Sequence, residues 1–127
     1  PDMPTVEITA ENFNDIVEKN DIVFLDFWAA WCGPCRNFAP TYEAAADAHP
    51  DIVFGKIDTE AQQELAASFQ IRSIPTIAVI RSNIMVFRES GALPANALNQ
   101  VIDGVRALDM DEVRADIARQ QQEQQQQ

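Results

Sequence analysis

Short apolar runs alternate along this chain with longer stretches of mixed polarity, and this pattern predicts strands separated by helices. The strongest run covers residues 22–29, where bulky aliphatic and aromatic residues follow one another with a single interruption, Asp26. Such a run is typical of a central strand that is buried on both faces. Shorter apolar runs predict four further strands, at residues 6–8, 52–58, 77–80 and 84–89.

Between the strands, apolar residues recur at helical spacing. Thr9 is expected to be the N-cap of a first helix that runs to about Lys19. A second helix is predicted from residue 33 or 34 to about 49, and Pro40 inside it should kink it. Two more helices are predicted, at residues 61–69 and from Pro94 to about residue 107.

The order of these elements indicates an α/β fold with a central sheet that is mixed rather than purely parallel. Strands separated by helices are typical of parallel units, but the last two strands are separated only by residues 81–83, which predicts a hairpin. Ile84 cannot comfortably adopt a positive φ, so left-handed backbone is expected at Asn83, with Ser82 beside it. Ile84 and Met85 are then expected to be exposed, which would allow a contact there.

The C-terminal segment, residues 108–127, differs in kind from the rest of the chain. It begins with Asp109-x-x-Glu112, which resembles a helix capping box, and ends in a glutamine-rich run. A helix here would be amphipathic, with three apolar residues on one face: Met110, Val113 and Ile117. Two interpretations stay open: a short helix that frays into a disordered tail, or a helix that docks on this subunit or on a partner.

Length and composition fit one soluble domain. The chain has 127 residues, of which 46% are hydrophobic and 23% are charged. No apolar run approaches the roughly 18 residues that a membrane span requires. The N-terminal sequence also lacks the basic and apolar regions of a signal peptide, so a cytoplasmic protein is expected. We also expect a monomer. Residues 1–4 are interpreted as a short lead, with a cloning remnant at Pro1 and Asp2.

The charge balance narrows the range of partners. Nine basic and twenty acidic side chains give a net charge of −11. This excess disfavours nucleic acid and anionic membrane surfaces as partners. It would suit a partner with a basic rim, or it only keeps the protein soluble.

The two cysteines of the chain, Cys32 and Cys35, allow three interpretations. A structural zinc site needs about four ligands, and the chain offers no other Cys and a single His, so no metal site is expected. A structural disulfide is disfavoured because closing so short a loop removes little entropy from the unfolded chain. A redox-active dithiol remains, and Cys-x-x-Cys between a strand and a helix is its signature.

The predicted position of the pair suits disulfide exchange. At a helix N-terminus, unpaired N–H groups and the helix dipole would favour a thiolate at Cys32, and the thiolate is the nucleophile. Cys35, one turn later, is expected to be more covered and to act as the resolving thiol. Pro34 adds no charge, whereas a His there would stabilise the reduced form and make a stronger oxidant. The sequence therefore favours a reductant.

The segment Trp31-Cys32-Gly33-Pro34-Cys35 resembles the active site of the thioredoxin family. Further similarities, at family-like distances, are Phe27-Trp28-Ala29 before the motif, Pro40 in the following helix, Ile74-Pro75-Thr76 and Gly91-Ala92. The resemblance covers about residues 5–107 and implies a thioredoxin fold, a central mixed sheet flanked by helices, here with a C-terminal helical extension. The hairpin and the extension depart from the family pattern, and neither touches the chemistry.

The resemblance also implies roles for single residues. Pro75 would be a cis proline beside the disulfide, and Ile74 would offer backbone groups to an extended substrate. Lys56 matches a family lysine that approaches a buried aspartate; the other interpretation is a solvated strand residue. An apolar surface for substrate contact would be formed by Trp31, Gly33, Pro34, Ile74 and Gly91.

Asp26 is the carboxylate that interrupts the central strand. A dry ionised carboxylate is costly, so burial should raise its pKa, unless the side chain reaches a polar rim and stays ionised. A pKa near neutrality would suit a proton relay for Cys35, and Lys56 could lower that pKa in part.

Together these features predict a protein-disulfide reductase with no cofactor beyond its own disulfide. The chain has no Gly-x-Gly-x-x-Gly fingerprint for a nucleotide, so its electrons should come from another protein. The resemblance implies a thioredoxin reductase that uses NADPH and flavin. The alternatives are an oxidase or isomerase on the same fold, and a thioredoxin-like binding module or subunit whose dithiol is only a redox switch.

Overall fold

A five-stranded mixed sheet forms the centre of the protein, whose structure is a computed structural model that describes residues 4–126. The remnant expected at Pro1 and Asp2 lies outside these residues. The strands are β1 Val6–Glu7, β2 Ile22–Trp28, β3 Val53–Asp58, β4 Thr76–Arg81 and β5 Ile84–Ser90. The helices are α1 Phe13–Lys19, α2 Gly33–Ala48, α3 Gln63–Ser68, α4 Ala95–Ala107 and α5 Met110–Gln125.

The strand order is β1-β3-β2-β4-β5, so the strand with the longest apolar run lies at the centre. β2 is parallel to β3 and antiparallel to β4, and the β4–β5 hairpin is antiparallel, which confirms the mixed sheet. The first six residues of β2 are all buried, as the apolar run predicted. In the part of the chain that the structure describes, no helix is both long and apolar enough to cross a membrane.

Helices cover both faces of the sheet and form two apolar cores. On one face, α2 and α4 pack against the even-numbered residues of β2, and the rings of Phe24 and Phe54 stack with centroids 4.9 Å apart beneath Tyr42. On the other face, α1 and α3 pack against Leu25 and Ile57. Each fully buried side chain of this size contributes about 1.5–3 kcal/mol, so the two cores fix how β2 and α2 are placed.

The start of α1 differs from the prediction. The N-cap is Asn12 rather than Thr9, and α1 begins at Phe13. Thr9 and Asn12 instead close a turn ahead of the helix, in which Asn12 Oδ1 accepts a hydrogen bond from Thr9 N at 2.8 Å. Thr9 Oγ1 in turn accepts one from Asn12 N at 3.3 Å. The turn uses the side-chain oxygen that the prediction had assigned to the helix.

The hairpin follows the turn chemistry read from the sequence. Ser82 and Asn83 both have positive φ, 51° and 65°, as expected. Met85 is 41% exposed, which confirms that part of the expectation. Ile84 is only partly exposed, because it stays paired with Arg81 at the end of the ladder.

The C-terminal segment is helical well beyond its apolar part. Asp109 is the N-cap of α5, and its side chain accepts hydrogen bonds from two backbone N–H groups, as the capping motif predicted. α5 then continues through the glutamine run to Gln125, so the described residues do not fit the interpretation of a short helix that frays into a tail. Glutamine is a good helix former, and ion pairs such as Arg114–Asp111 support the exposed face.

Candidate active site

The two cysteines lie at the junction between β2 and α2. Cys32 is the N-cap of α2, and its Sγ accepts a hydrogen bond from the backbone N of Cys35 at 3.2 Å. The two residues form a disulfide, with their Cα atoms 5.2 Å apart. Pro34 occupies the first turn, where its missing N–H leaves no donor unpaired. The expected position of the dithiol at a helix N-terminus is thus confirmed.

The electrostatic surroundings favour negative charge on Cys32. The first turn of α2 contains no acidic residue, and the helix N-terminus directs its N–H groups towards Cys32 Sγ. Arg36 is also in this turn and donates to the carbonyl oxygen of Ala30 at 2.7 Å. A thiolate formed on reduction would therefore be stabilised at Cys32.

Burial does not separate the two cysteines as expected. Each is 4% exposed, whereas Cys35 was predicted to be more covered than Cys32. The reason is a tertiary contact: Cys32 Sγ lies 3.8 Å from the carbonyl oxygen of Ile74, whose side chain packs against the disulfide cluster. The loop before β4 therefore covers Cys32, which no local pattern could indicate.

The residues assigned to substrate contact surround the disulfide. Trp31 is 67% exposed, Pro34 and Gly91 are exposed, and Gly33 and Ile74 are partly exposed. The Ile74–Pro75 peptide bond is cis, as the resemblance implied, and Pro75 itself is buried. Gly91, with φ of 107°, donates its N–H to the carbonyl oxygen of Pro75 at 2.8 Å, which holds its loop beside the cis proline.

Two grooves flank this surface, and neither was found from the sequence. One, with a volume of 500 Å³, is lined by Trp31 and Ile74 together with residues of α3 such as Ala66. The other, of 350 Å³, begins at Pro34 and runs between α2 and Leu93. Both combine side chains from distant segments, so sequence spacing carries no signal for them.

Glu60 is a further residue that sequence reasoning missed. Its carboxylate accepts a hydrogen bond from the indole Nε1 of Trp31. Glu60 lies in the turn after β3, where Asp58 Oδ1 accepts a hydrogen bond from the backbone N of Glu60 at 2.9 Å. The acidic residues of this turn therefore orient the exposed indole.

Asp26 is buried beneath this site and has the shifted pKa expected from the sequence. It is 1% exposed, and its Oδ1 has no hydrogen-bond partner among the described residues. Burial raises the pKa of Asp26 from 3.8 to about 7, although the positive charge of Lys56 lowers it in part. The alternative that Asp26 reaches a polar rim and stays ionised is wrong, because its side chain is buried and burial raises its pKa.

Lys56 and Tyr42 are the titratable side chains that approach Asp26. Lys56 is the register partner of Asp26 on β3, and its Nζ lies 4.9 Å from the centroid of the Trp28 ring. Tyr42 Oη donates to the carbonyl oxygen of Gly55 at 2.8 Å. Burial, and then the charge of Asp26, raise the pKa of Tyr42 well above its usual value, so its phenol stays protonated.

The described residues contain no group of three or more His, Cys, Asp and Glu side chains that could hold a metal ion. His49 lies at the opposite end of α2 from the cysteines, where its Nδ1 is 3.0 Å from a guanidinium nitrogen of Arg106.

Comparisons with known proteins agree on one family. The sequence model of the family described as Thioredoxin matches residues 4–104. A thioredoxin 2 homologue of Streptomyces coelicolor is 58% identical over 117 residues, which are 92% of this chain and 87% of the relative. Thioredoxin C-3 of Corynebacterium nephridii is 42% identical over 99 residues, which are 77% of this chain and 68% of the relative.

Solved structures show the same likeness. Thioredoxin of Plasmodium falciparum superposes with a TM-score of 0.74 at 34% identity, over 79% of this chain and 98% of that one. A thioredoxin f2 in complex with ferredoxin:thioredoxin reductase gives a TM-score of 0.75 at 32% identity, over 81% of this chain and 96% of that one.

Proposed function

This chain belongs to the thioredoxin family, and we propose that its Cys32–Cys35 pair reduces disulfides in client proteins. It is a thiol–disulfide oxidoreductase of the thioredoxin type. The observation that carries the dithiol mechanism is the site of Cys32, at a helix N-terminus with the N–H of Cys35 donated to its sulfur, which favours the attacking thiolate. Gly33 and Pro34 add no charge that would make the reduced form still more stable and the protein an oxidant.

The reaction transfers two electrons to the client in two exchange steps. The Cys32 thiolate attacks one client sulfur, forms a mixed disulfide and releases the other client sulfur as a thiolate. Cys35 then loses its proton and attacks Cys32 Sγ, which breaks the mixed disulfide and releases the second client sulfur. The chain ends with the Cys32–Cys35 disulfide, the state in which the structure describes it, and the client ends with two thiols.

Asp26 is the proposed acceptor of the Cys35 proton, either directly or through a water molecule. Its support is its position on the face of the sheet that α2 covers, the helix that carries Cys35 in its first turn. A pKa of about 7 leaves Asp26 partly ionised near neutral pH, so it can take up the proton and return it in the reverse step. Lys56 adjusts this pKa through its charge.

The client is proposed to bind across the apolar surface around the disulfide. Trp31, Gly33, Pro34, Ile74, Pro75 and Gly91 are the contact residues proposed for that surface. An exposed aromatic ring surrounded by small and aliphatic residues suits clients of varied sequence. The backbone of Ile74 lies close enough to Cys32 to pair with an extended client segment.

The electron donor is proposed to be a thioredoxin reductase. The sequence has no glycine-rich nucleotide fingerprint, so we infer that the chain holds no cofactor beyond its own disulfide and takes electrons from a protein. The similar thioredoxin f2 was solved with ferredoxin:thioredoxin reductase, which supports a reductase as the class of partner. A cytoplasmic monomer completes the proposal. The net charge of −11 supports the further expectation that it binds neither nucleic acid nor anionic membranes.

An insulin-reduction assay tests this function. The full chain should turn over insulin with dithiothreitol or a thioredoxin reductase as donor, and both Cys32→Ser and Cys35→Ser should abolish turnover. Titration against a glutathione buffer gives the direction, because a reductant poises well below glutathione and an oxidant above it. Insulin turnover that survives both substitutions would rule out the dithiol mechanism.

A further inference from the structure

A row of charged side chains crosses three strands of the sheet beside the active site. Asp26 on β2 is the register partner of Lys56 on β3, and Lys56 is the register partner of Glu7 on β1. Register partners in parallel strands direct their side chains to the same face, and adjacent strands lie about 4.8 Å apart. Lys56 therefore lies between two carboxylates, one buried and one at the sheet edge.

The three residues become more exposed from the centre of the sheet to its edge. Asp26 is 1% exposed, Lys56 is partly exposed and Glu7 is exposed. Within the described part of the chain, the Lys56 ammonium makes no ion pair within 4.0 Å of either carboxylate and lies instead over the Trp28 ring. A pocket of 330 Å³, lined by Thr5, Glu7, Trp28, Lys56 and Asp58, leaves the ammonium room to move.

Other charged or titratable groups on this side of the sheet are placed differently. Asp58, two residues after Lys56 on the same strand, also lines the pocket, and its Oδ1 accepts backbone hydrogen bonds from Glu60 and Ala61. The Tyr42 hydroxyl is bonded to the Gly55 carbonyl. Glu43 follows Tyr42 on α2 and forms no ion pair with Lys56 within 4.0 Å. Across β4, the register partner of Asp26 is the uncharged Ile77.

We propose that Glu7 is a positioning residue that draws the Lys56 ammonium towards the sheet edge and so sets the pH at which Asp26 ionises. When Glu7 is ionised, Lys56 is shared between Glu7 and Asp26, and less of its charge stabilises ionised Asp26. Removing the charge of Glu7 leaves more of the Lys56 charge to Asp26, while Asp58 is unchanged. The direct repulsion between Glu7 and Asp26 acts with the same sign, because a nearby negative charge also disfavours ionisation of Asp26.

The consequence for the relay has a definite sign. Loss of the Glu7 charge should lower the pH midpoint of Asp26, so that more of it is ionised in mildly acidic solution. Charges two strands apart, at about 10 Å and in a partly wet setting, interact enough to move that midpoint by about half a pH unit. This consequence for turnover rests on the proposed relay, whereas the effect on the midpoint does not.

The test follows the carboxyl carbon of Asp26 by NMR during a pH titration of the full, oxidised chain at low salt. Glu7→Gln should lower the midpoint by about half a pH unit. The matched control is Glu18→Gln, which removes the same charge from an exposed site on α1, across the sheet. The control should leave the midpoint in place, and 0.5 M NaCl, a concentration chosen for screening, should weaken the effect of Glu7→Gln.

Repeating the comparison without Lys56 separates positioning from direct repulsion. In a Lys56→Met background the effect of Glu7→Gln should fall by at least about half, because the shared ammonium is gone. An unchanged midpoint in Glu7→Gln, or an equal shift with and without Lys56, overturns the inference. If Glu7→Gln shifts the Asp26 midpoint but leaves the pH profile of insulin reduction unchanged, the inference is supported and the proposed relay is contradicted. Failure of the inference and failure of the relay can therefore be told apart.

Discussion

The Sγ atom of Cys32 lies 3.8 Å from the carbonyl oxygen of Ile74, a residue 42 positions further along the chain. This contact covers the nucleophilic cysteine with the loop that leads into β4. A client sulfur that approaches Cys32 must therefore arrive beside the Ile74 backbone and the exposed Trp31 ring.

Cys35→Ser should trap client proteins on Cys32. The first exchange step still forms a mixed disulfide, but no resolving thiol remains to break it. Mass spectrometry of the purified variant, after incubation with a disulfide-containing client, should find the adduct on Cys32. Cys32→Ser is the matched control, and equal trapping by that variant would mean that the order of attack is reversed.

Asp26→Ala should be more stable than the wild type at pH 8, by a margin that shrinks towards pH 4. The folded pKa of Asp26 is raised from 3.8 to about 7. Below pH 4 the carboxyl is protonated in both states and has little effect, whereas above that pH the unfolded chain ionises first and the folded state loses stability. The loss is complete above the folded pKa, and about three pH units correspond to roughly 4 kcal/mol.

Urea unfolding midpoints at the two pH values measure this effect. Asp26→Asn is the control for shape, since it removes the ionisation without creating a cavity, and it should show the same pH trend. Both variants should also reduce insulin more slowly than the wild type near neutral pH. A difference in unfolding free energy that is the same at pH 4 and pH 8 would show that Asp26 is not a shifted acid.

Trp31→Ala should weaken client recognition more than the chemistry. The ring is 67% exposed, so its removal disturbs no core, but it would take away the aromatic anchor of the proposed contact surface. We expect kcat/KM for insulin to fall roughly tenfold. With hydroxyethyl disulfide, which is too small to cover the surface, the change should be slight.

Met85→Ala provides the matched control for Trp31→Ala. Met85 is also a large exposed hydrophobic residue, at 41%, but it lies on the β4–β5 hairpin, near the turn at Ser82 and Asn83. The Met85→Ala variant should reduce insulin and hydroxyethyl disulfide at the wild-type rates. Equal losses in the two variants would indicate that general surface hydrophobicity, rather than the surface around the disulfide, governs client binding.

Deleting residues 109–127 should leave insulin turnover intact and reduce stability modestly. Within this segment Met110 is buried, so its loss should cost about 1–3 kcal/mol in the free energy of unfolding. Leu108 stays in place and continues to accept a hydrogen bond from Arg81 at 2.7 Å, which preserves the end of α4. Thermal unfolding and the insulin assay measure the two effects.

A shorter deletion, of residues 118–127, separates the apolar part of α5 from its glutamine-rich end. The residues removed are exposed as far as the structure describes them, so neither stability nor turnover should change. If the longer deletion lost most of its insulin turnover while remaining folded, α5 would have to contribute to the client surface.

Much of the fold could be predicted because its signals are local. The apolar run from residue 22 predicted the central strand to within one residue of its observed end, Trp28. The helix after the cysteines was predicted with similar accuracy, because Pro34 favours a first turn and the apolar stripe continues to Ala45. Two of the differences from the predicted fold have local causes. Thr9 closes a turn instead of capping α1, and glutamine sustains α5 after its apolar residues end.

The candidate site was predictable where one residue carries its own chemical consequence. A carboxylate inside a buried strand must have a raised pKa or a partner, so Asp26 could be assigned from the sequence. The hydrogen bond between Trp31 and Glu60, the cover of Cys32 by Ile74 and the row from Glu7 to Asp26 could not. Each joins segments that are far apart in the chain and have no spacing rule between them.

The sequence by itself therefore determined the elements, the dithiol at a helix N-terminus and the buried acid, because these depend on periodicity, capping and burial over a few neighbouring residues. Tertiary structure alone decided the order β1-β3-β2-β4-β5 and the register that places Lys56 between Asp26 and Glu7. Strand order and register depend on how whole apolar faces pack, and a shift of one residue would turn every side chain of a strand to the opposite face.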